Sequence, residues 1–482
     1  MSGIVTLRVV RGPAAGRQFT FDERTCCILG RADDCHPSLP NDEAHRTVSR
    51  HHCLLDINPP DVRVRDFGSL NGTFVNGGKI GQRESHQRPE DVAGVAFPEH
   101  DLKDGDELRV GDTVFRVEVP VPQPGAAGDS GRPAARALSG PRLCAHCGKD
   151  VSGEVAEGRR GVVLCAACRA RPDDLARDAA RAAKQARAPG GEPSGLTYTI
   201  VRELGRGGMG AVYLARCDQT SEQVALKVML PQVAADDAAV AMFLREVENT
   251  RALNHPNVVR LLDAGCWQGT FYFTLEFCDS GSVVDLMERR GGTVSVDEAL
   301  FLILQALIGL EYAHQAEVPY VRLQDGSYGT GRGLVHRDLK PHNLFLSGTG
   351  AQRLAKVGDY GLAKAFDTAG LSGQTRSGAA AGTPLFMPRQ QVVNFKFAKP
   401  EVDVWAMAAC LYCMLTGDVP RDFPRSKDPW QAVLQSDPVP IRHRNPKIPP
   451  RLAEVIDHAL HDRPEIGYKT AGALRQALEE AI

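Results

Sequence analysis

Short runs of alternating apolar and polar residues fill the first part of the chain. They are Ile4–Val10, Cys53–Ile57, Val62–Val64, Thr73–Val75, Glu107–Val110 and Val114–Val119. Turn formers separate them: Arg11-Gly12-Pro13, Asn58-Pro59-Pro60, Asn76-Gly77-Gly78 and Gly105-Asp106. Many short strands punctuated in this way predict an all-β sandwich over residues 1–120. The pattern stops at Pro120–Pro141, which is rich in Pro, Gly, Ala and Ser and predicts a flexible linker over 121–142. Arg169–Ala188 is rich in Ala and Arg and has no broad apolar stripe, so a helix bridging in solvent, part of a basic helical linker over 170–196, is expected. From residue 197 strand patterns return at Tyr198–Leu204, Val212–Ala215, Val224–Val228 and Phe271–Glu276, with a helical pattern over Ala238–Leu253. Ala299–Leu310 and Val404–Leu415 are the most apolar runs. Both are too short to span a bilayer and read as buried helices.

At 482 residues the chain is too long for one core, and about three domains are expected. A net charge of −2 gives no global pull toward nucleic acid or a membrane. No basic segment followed by an apolar run succeeds Met1, so no export signal is expected and the cytoplasm is the expected compartment. That setting frames the thirteen cysteines. Four stand in two pairs, Cys144-Ala-His-Cys147 and Cys165-Ala-Ala-Cys168, the spacing of a tetrahedral Cys₄ zinc site. Four thiolates close the coordination shell, so a structural Zn²⁺ in a zinc ribbon over 143–169 is expected, with His146 a bystander. A redox role would need a thioredoxin-like unit around one pair, and none is visible. Nucleic-acid binding through ribbon and helix is disfavoured because stacking aromatics are absent.

Three polar clusters punctuate the first domain: Gly30-Arg31, Ser49-Arg50-His51-His52, and Gly68-Ser69-Leu70-Asn71-Gly72-Thr73-Phe74-Val75-Asn76-Gly77. In this order and spacing they resemble the forkhead-associated (FHA) domain, a phosphothreonine-reading sandwich. The resemblance implies that Arg31 and Arg50 supply charge-assisted donors to the phosphate, and Ser49 a hydroxyl. It implies that Asn71 holds the ligand's backbone while His52 braces the loops. Leu70 stands where the family often has Thr or Ser, and Gln82–His100 is longer than the usual link.

The last region carries His336-Arg337-Asp338-Leu339-Lys340-Pro341-His342-Asn343, which follows the H-R-D-L-x-x-x-N pattern. Upstream, Gly205-Arg206-Gly207-Gly208-Met209-Gly210 runs on into a second strand and not into a helix, so a hairpin whose backbone N–H groups can close over phosphates is expected there, and not a dinucleotide site. Val224-Ala225-Leu226-Lys227 and Val357-Gly358-Asp359-Tyr360-Gly361 complete the set, with Tyr in place of the usual Phe. Over 197–482 the chain resembles a bacterial Hanks-type serine/threonine protein kinase, an α+β bilobal fold with lobes at 197–279 and 280–482.

That resemblance implies ATP and Mg²⁺, or Mn²⁺, as cofactors, and protein substrates bearing Ser or Thr. Asp338 would accept or orient the substrate hydroxyl proton, and Lys340 would sit by the γ-phosphate. Asn343 and Asp359 would hold the metal. Lys227 would bind the α- and β-phosphates and pair with Glu246; Glu248 lies on a different helix face. Leu204, Gly205, Gly207, Gly208, Gly210, Val212 and Ala225 would line the nucleotide site. Backbone groups near Glu276 and Cys278 would bind adenine, with Leu275 as gatekeeper. Thr383 in Gly382-Thr383-Pro384 would contact the substrate side, and Asp403 would brace the catalytic loop.

Two departures stand out. Met387-Pro388-Arg389-Gln390 replaces the family's Ala-Pro-Glu, and the stretch from Asp462 to Tyr468 lacks the Arg that pairs with that Glu. Losing both partners of a buried pair can be nearly neutral, so a lobe repacked without the pair is expected. Pro319–Gly333 is an insertion with Gly at 326, 329, 331 and 333 and reads as a loop. The expected function is an ATP-dependent serine/threonine kinase in bacterial signalling that carries a phosphothreonine reader. The reader would take a partner protein or the kinase's own activation segment, where Thr368, Ser372, Thr375, Ser377 and Thr383 are candidate acceptors. A dimer is compatible with this reading. The alternative is a non-catalytic kinase-fold scaffold, whose mark would be loss of Lys227, Asp338 or Asp359; all three are present.

Overall fold

The computed structural model describes the chain except residues 1–3, 22–24, 34, 60, 85, 88–96, 120–142, 154–161, 187, 189–194, 208–209, 230–236, 323–327, 361–383, 394–397 and 425–427. The expected linker, Gly208, Thr383 and the other candidate acceptors lie outside the described residues.

The N-terminal domain is a sandwich of two antiparallel sheets. One contains β1 (Val5–Arg11), β2 (Gln18–Phe21), β6 (Thr73–Val75), β7 (Gly78–Gly81), β9 (Glu107–Val110) and β10 (Thr113–Glu118), in the order β2-β1-β10-β9-β6-β7. The other is β3 (Thr25–Leu29), β4 (Cys53–Asn58), β5 (Asp61–Asp66) and β8 (His100–Leu102), in that order. Alternation sets the inward face: Val5, Leu7 and Val9 of β1 meet Leu55, Ile57, Leu108 and Phe115 in one core. β2, β3, β7 and β8 were not expected: β2 alternates but is only four residues long, and β3, β7 and β8 carry no clean alternation. In β3 the cause is burial on both faces. Cys27 and Leu29 enter the sandwich core, while Cys26 and Ile28 pack with Met387, Val392, Val393, Trp430, Val433 and Leu434 of the C-terminal region.

The two regions therefore share a buried apolar seam. It is closed by an ion pair between Arg65 and Asp428 at 2.6 Å, whose side chains are 10% and 5% exposed. Asp428 also caps the helix Pro429–Gln435 by accepting from the Trp430 and Gln431 amides.

The C-terminal region is bilobal. Its upper lobe is an antiparallel sheet in the order β11-β12-β13-β15-β14, with β11 (Tyr198–Gly207), β12 (Gly210–Cys217), β13 (Gln223–Met229), β14 (Leu261–Trp267) and β15 (Thr270–Glu276). The helix Asp237–Arg251 packs on one face through Phe243 and Val247. The lower lobe is built around the expected apolar runs, the helices Val296–Gln315 and Glu401–Thr416. No helix among the described residues is long and apolar enough to cross a membrane.

Three expectations are corrected. The Ala/Arg-rich helix does not bridge in solvent. As Pro172–Ala182, it buries Leu175, Ala176, Ala179 and Ala180 against the upper-lobe sheet, in a core shared with Cys144, Cys165, Tyr213 and Tyr272. Small Ala side chains let the helix lie close to the sheet, and its Arg residues stay outside. The insertion is not a plain loop. Glu317–Arg322 and Tyr328–Arg332 pair as an antiparallel hairpin, and the backbone of Tyr320 exchanges two hydrogen bonds of 2.9 and 3.0 Å with the Asn249 amide.

The lower lobe has also not lost its ion pair. Asp462, 1% exposed at its side chain, is paired with Arg389 and Arg421, and it accepts from the Arg389 amide at 2.9 Å. Gln390 donates to the Asp462 carbonyl at 2.9 Å. The cation sits on the Pro388-Arg389-Gln390 segment and the anion at the C-terminal end, so the family's polarity is reversed. Desolvation holds the Arg421 guanidinium down at about 10, against the opposing pull of Asp462.

The polar loops at one end of the sandwich are held by two buried groups. Asp66 accepts from the Gly68 and Ser69 amides and from the Ser69 and Thr73 hydroxyls, the shortest being a 2.5 Å bond from Thr73. His52 Nδ1 accepts from the Ser49 amide at 2.9 Å, and Nε2 lies 3.2 Å from the Gly72 carbonyl. These contacts assign a neutral ring, and burial drives its pKa to about 4, outweighing the Asp66 carboxylate.

The buried Asp462 cluster and the buried neutral His52 each lead to an expected outcome. Asp462→Ala strands Arg389 and Arg421 in the core and should cost about 3–5 kcal/mol. Urea unfolding followed by tryptophan fluorescence reads it through Trp405, which lies against Arg421; an unchanged midpoint would contradict the assignment. His52 takes up a proton more readily when unfolded, near pH 6.5, than when folded, near 4. Its contribution is therefore fully present above about pH 6.5 and falls away as pH drops toward 4, by up to about 3 kcal/mol. Calorimetry should show the sandwich transition moving down over that window, and His52→Gln should flatten this slope.

Candidate functional site

The catalytic-loop stretch turns at Arg337, whose φ of 64° is left-handed. One buried carboxylate fixes that turn. Asp403, near the start of the helix Glu401–Thr416, accepts from the His336 amide at 2.7 Å and the Arg337 amide at 2.8 Å. His314 Nε2 lies 2.8 Å from the same carboxylate. Burial pushes Asp403 up, but the His314 hydrogen bond and charge, with His336 and the Arg337 amide, more than offset it and hold the group below the usual carboxylate range.

Beyond the turn, Asp338 accepts from Lys340 Nζ at 2.8 Å and from Asn343 Nδ2 at 3.2 Å. Asn343 Nδ2 also donates to the Asp338 carbonyl at 2.7 Å. Asp359 stands opposite, in a left-handed conformation with φ 59°. Its two oxygens accept from Lys227 Nζ at 3.0 and 3.1 Å. Burial raises the Asp359 pKa, yet Lys227, His336 and Lys340 together bring it below the ordinary value. The cations of both lobes thus act on one carboxylate. Gly358 donates to the Asn343 carbonyl at 2.9 Å, and His336 Nε2 lies 2.7 Å from the Gly358 carbonyl, which ties the Asp359 turn to the catalytic loop. Tyr360 packs its ring 4.6 Å from His336, so an aromatic at this position does pack; among the described residues its hydroxyl has no hydrogen-bond partner.

Lys227 is placed by β13, where it pairs across the sheet with Val212 and Phe273. Gly205 and Gly207 close against Val212 and Gly210 in the β11–β12 hairpin. A side chain at Gly210, with φ 153°, would run into the Val228 carbonyl. Ala225 lies opposite Leu275, which is buried. At the end of β15, Glu276 Oε1 pairs with Lys356 at 2.8 Å, and Cys278 follows, with burial lifting its thiol to about 11. The expected Lys227–Glu246 pair is not among the described ion pairs. Glu246 is half-buried on the helix Asp237–Arg251 and is not without an interaction.

The upper lobe holds a contact that the sequence did not suggest. Arg206 in the glycine-rich hairpin donates to Asp173 at 2.7 Å and to Glu203 at 2.6 Å, and Tyr213 Oη donates to Asp173 at 2.6 Å. The helix Pro172–Ala182 therefore holds the hairpin from outside. Beside it, Cys144, Cys147, Cys165 and Cys168 bring their sulfurs within 4.8 Å of one another, with His146 turned to Asp178 at 3.5 Å. Cys144 and Cys168 are 3.8 Å apart, and Cys147 and Cys165 are 3.7 Å apart. A metal–sulfur distance of about 2.3 Å in a tetrahedron requires an edge of about 3.8 Å, so this donor set fits a metal.

At the sandwich loops, Arg31 Nε donates to the Val48 carbonyl at 2.8 Å, and Asn71 Nδ2 to the Thr47 carbonyl at 2.7 Å. Ser49 Oγ accepts from the Leu70 amide at 3.1 Å, and Arg50 is exposed. A Cβ at Gly30 would strike the Arg50 carbonyl, which is why the two arginine loops can approach. Arg46 and Arg83 join them on one cleft. Neither was singled out from the sequence, since nothing local marks them.

Comparison with known proteins agrees with this geometry. The protein kinase domain family matches residues 198–466, more than half of the chain, and the FHA domain family matches residues 27–111. The chain is similar to the tyrosine-protein kinase MasK of Myxococcus xanthus, 31% identical over 290 residues, covering 58% of this chain and 42% of that protein. It is also similar to the serine/threonine-protein kinases PknJ (29% over 290 residues) and PknB (32% over 292 residues) of Mycobacterium tuberculosis. Each covers 59% of this chain, and 45% and 43% of those proteins. The chain thus spans less than half the length of these relatives. Fold, site and comparisons agree: the chain belongs to the protein kinase family and carries an FHA domain ahead of its kinase domain.

Proposed function

We propose that the chain transfers the γ-phosphoryl group of ATP to Ser or Thr hydroxyls of proteins, and that its FHA domain reads phosphothreonine. The observation that carries this reading is the convergence of Lys227 and Asp359 with Asp338, Lys340 and Asn343. Phosphoryl transfer asks a protein mainly for positioning and for cations against the charge on the transferred group. Asp338 orients the acceptor hydroxyl and takes its proton. Lys340, already on Asp338, neutralises charge on the γ-phosphate side. Lys227 holds the α- and β-phosphates, with Glu246 in support. Asn343, whose amide nitrogen is committed to Asp338, offers its oxygen beside Asp359 as the hard ligand set for Mg²⁺. Bound there, Mg²⁺ would offset phosphate charge. The glycine-rich hairpin covers the phosphates, and backbone groups near Glu276 and Cys278 hold adenine. Thr383 would contact the substrate, in a Gly-Thr-Pro stretch like that of Ser/Thr kinases; two of the three relatives named above bear that specificity in their names.

Arg31, Arg50, Ser49 and Asn71 surround the phosphothreonine site. We further infer that Cys144, Cys147, Cys165 and Cys168 bind one structural Zn²⁺, in a reducing cytoplasm where their thiolates stay available. The basic helix serves the ribbon and the hairpin, and nucleic acid has no place in this reading.

Incorporation of labelled phosphate from ATP·Mg²⁺ into the chain and into a generic basic protein tests the central reading. Asp338→Asn should lower the rate about 10²–10⁴-fold; a variant as active as wild type would overturn it. Removal of the metal by a strong chelator should release about one zinc per chain and expose the shared Ala-rich core, read as faster proteolysis between residues 143 and 188. Unchanged proteolysis after full metal release would contradict the structural role.

A further inference from the structure

The FHA loops are faced by the kinase domain. They form one wall of a cleft of about 1150 Å³ whose other wall is the lower lobe of the kinase. The walls are fixed to each other by the buried seam around Ile28, Phe67 and Trp430 and by the Arg65–Asp428 pair. The first wall presents Arg31, Arg46, Arg50 and Arg83. The second presents Lys399 and Arg463, both exposed, while Arg389 is spent on Asp462 and Asp437. Among the described lining residues only Glu401 and Asp462 are acidic, and Asp462 is already neutralised by Arg389 and Arg421.

A single phosphothreonine would engage the first wall and leave the second without an anionic ligand, where, among the described residues, Arg463 donates only to the Leu434 carbonyl and Lys399 lies within electrostatic reach of Glu465. A cleft this large also exceeds what one phosphorylated side chain fills. We propose that it is a composite site for a phosphothreonine peptide of a partner protein whose flanking residues are acidic, with the phosphate on the FHA wall and the acidic flank on Lys399 and Arg463 of the kinase wall. This rests on the phosphothreonine reading above. It adds that the kinase lobe itself supplies part of the specificity, so the bound partner is held on the face formed by the residues following the activation segment.

Fluorescence polarisation on the phosphatase-treated full chain tests it with two labelled phosphothreonine peptides, one flanked by Asp and Glu on both sides and one by Ala and Ser. The acidic peptide should bind about ten-fold tighter, the effect of one charge-assisted contact in a partly enclosed cleft. Lys399→Glu should remove most of that advantage and leave the neutral peptide within about two-fold of wild type. Arg31→Ala should weaken both peptides together. Equal affinity of wild type for the two peptides, or a Lys399→Glu variant that keeps the preference, would overturn the composite site and leave the FHA reading intact. Failure of wild type to bind either peptide would remove the phosphothreonine reading itself, and this inference with it. If autophosphorylated chain loses peptide binding and phosphatase restores it, the cleft is filled by the kinase's own phosphorylated segment and the assignment to a partner falls.

Discussion

A buried carboxylate holds the kinase site together. Asp403 is 1% exposed, yet it stays charged because two backbone amides and His314 converge on it. It fixes the strained turn at Arg337 and so points Asp338 outward, toward Lys340 and Asn343. Through His336 and the Gly358 carbonyl the same brace reaches Asp359. The groups that would handle phosphate and metal are therefore set from below, by one side chain on the most deeply buried helix of the lower lobe. Such preorganisation suits a reaction whose demands are mostly electrostatic.

The modules around this core are fused, not strung together. The sandwich shares an apolar seam with the lower lobe, and the Cys₄ segment and its helix share a core with the upper-lobe sheet. Each seam ends at a working part: the first beside the FHA loops, the second at Arg206 of the glycine-rich hairpin, held by Asp173. Neither seam could be exposed without uncovering apolar surface, so the two accessory modules and the kinase form one body. A small metal-bound segment that lacks a core of its own borrows one from the sheet it covers.

Local chemistry was legible in the sequence, and tertiary compensation was not. The loops around Arg31, Asn71, Asp338 and Asp359 announce themselves because their backbone turns and charges demand particular residues at fixed spacing. The alternating strands β1, β4, β9 and β10 were readable for the same reason. β3 was not, since burial on both faces erases alternation. The helix Pro172–Ala182 reads as solvated because alanine carries little hydrophobic signal, although its small size is what lets the helix lie on the sheet. Asp462, Arg389 and Arg421 are far apart in the chain, and their pairing reverses the family's polarity; only the fold brings them together. The hairpin Glu317–Arg322 with Tyr328–Arg332 was hidden by its glycines, and its anchor, Asn249, sits on a different element.

The central claim is that the Asp403 brace, and not the catalytic side chains alone, makes the site competent. The most direct measurement is the single-turnover rate of phosphoryl transfer by Asp403→Asn, alongside its equilibrium affinity for ATP. The neutral amide cannot serve both backbone donors and the imidazole of His314 as the carboxylate does. The rate should fall by at least about ten-fold while ATP affinity stays within about two-fold, because the nucleotide is held chiefly by the upper lobe. A variant that transfers phosphate at the wild-type rate would contradict the account.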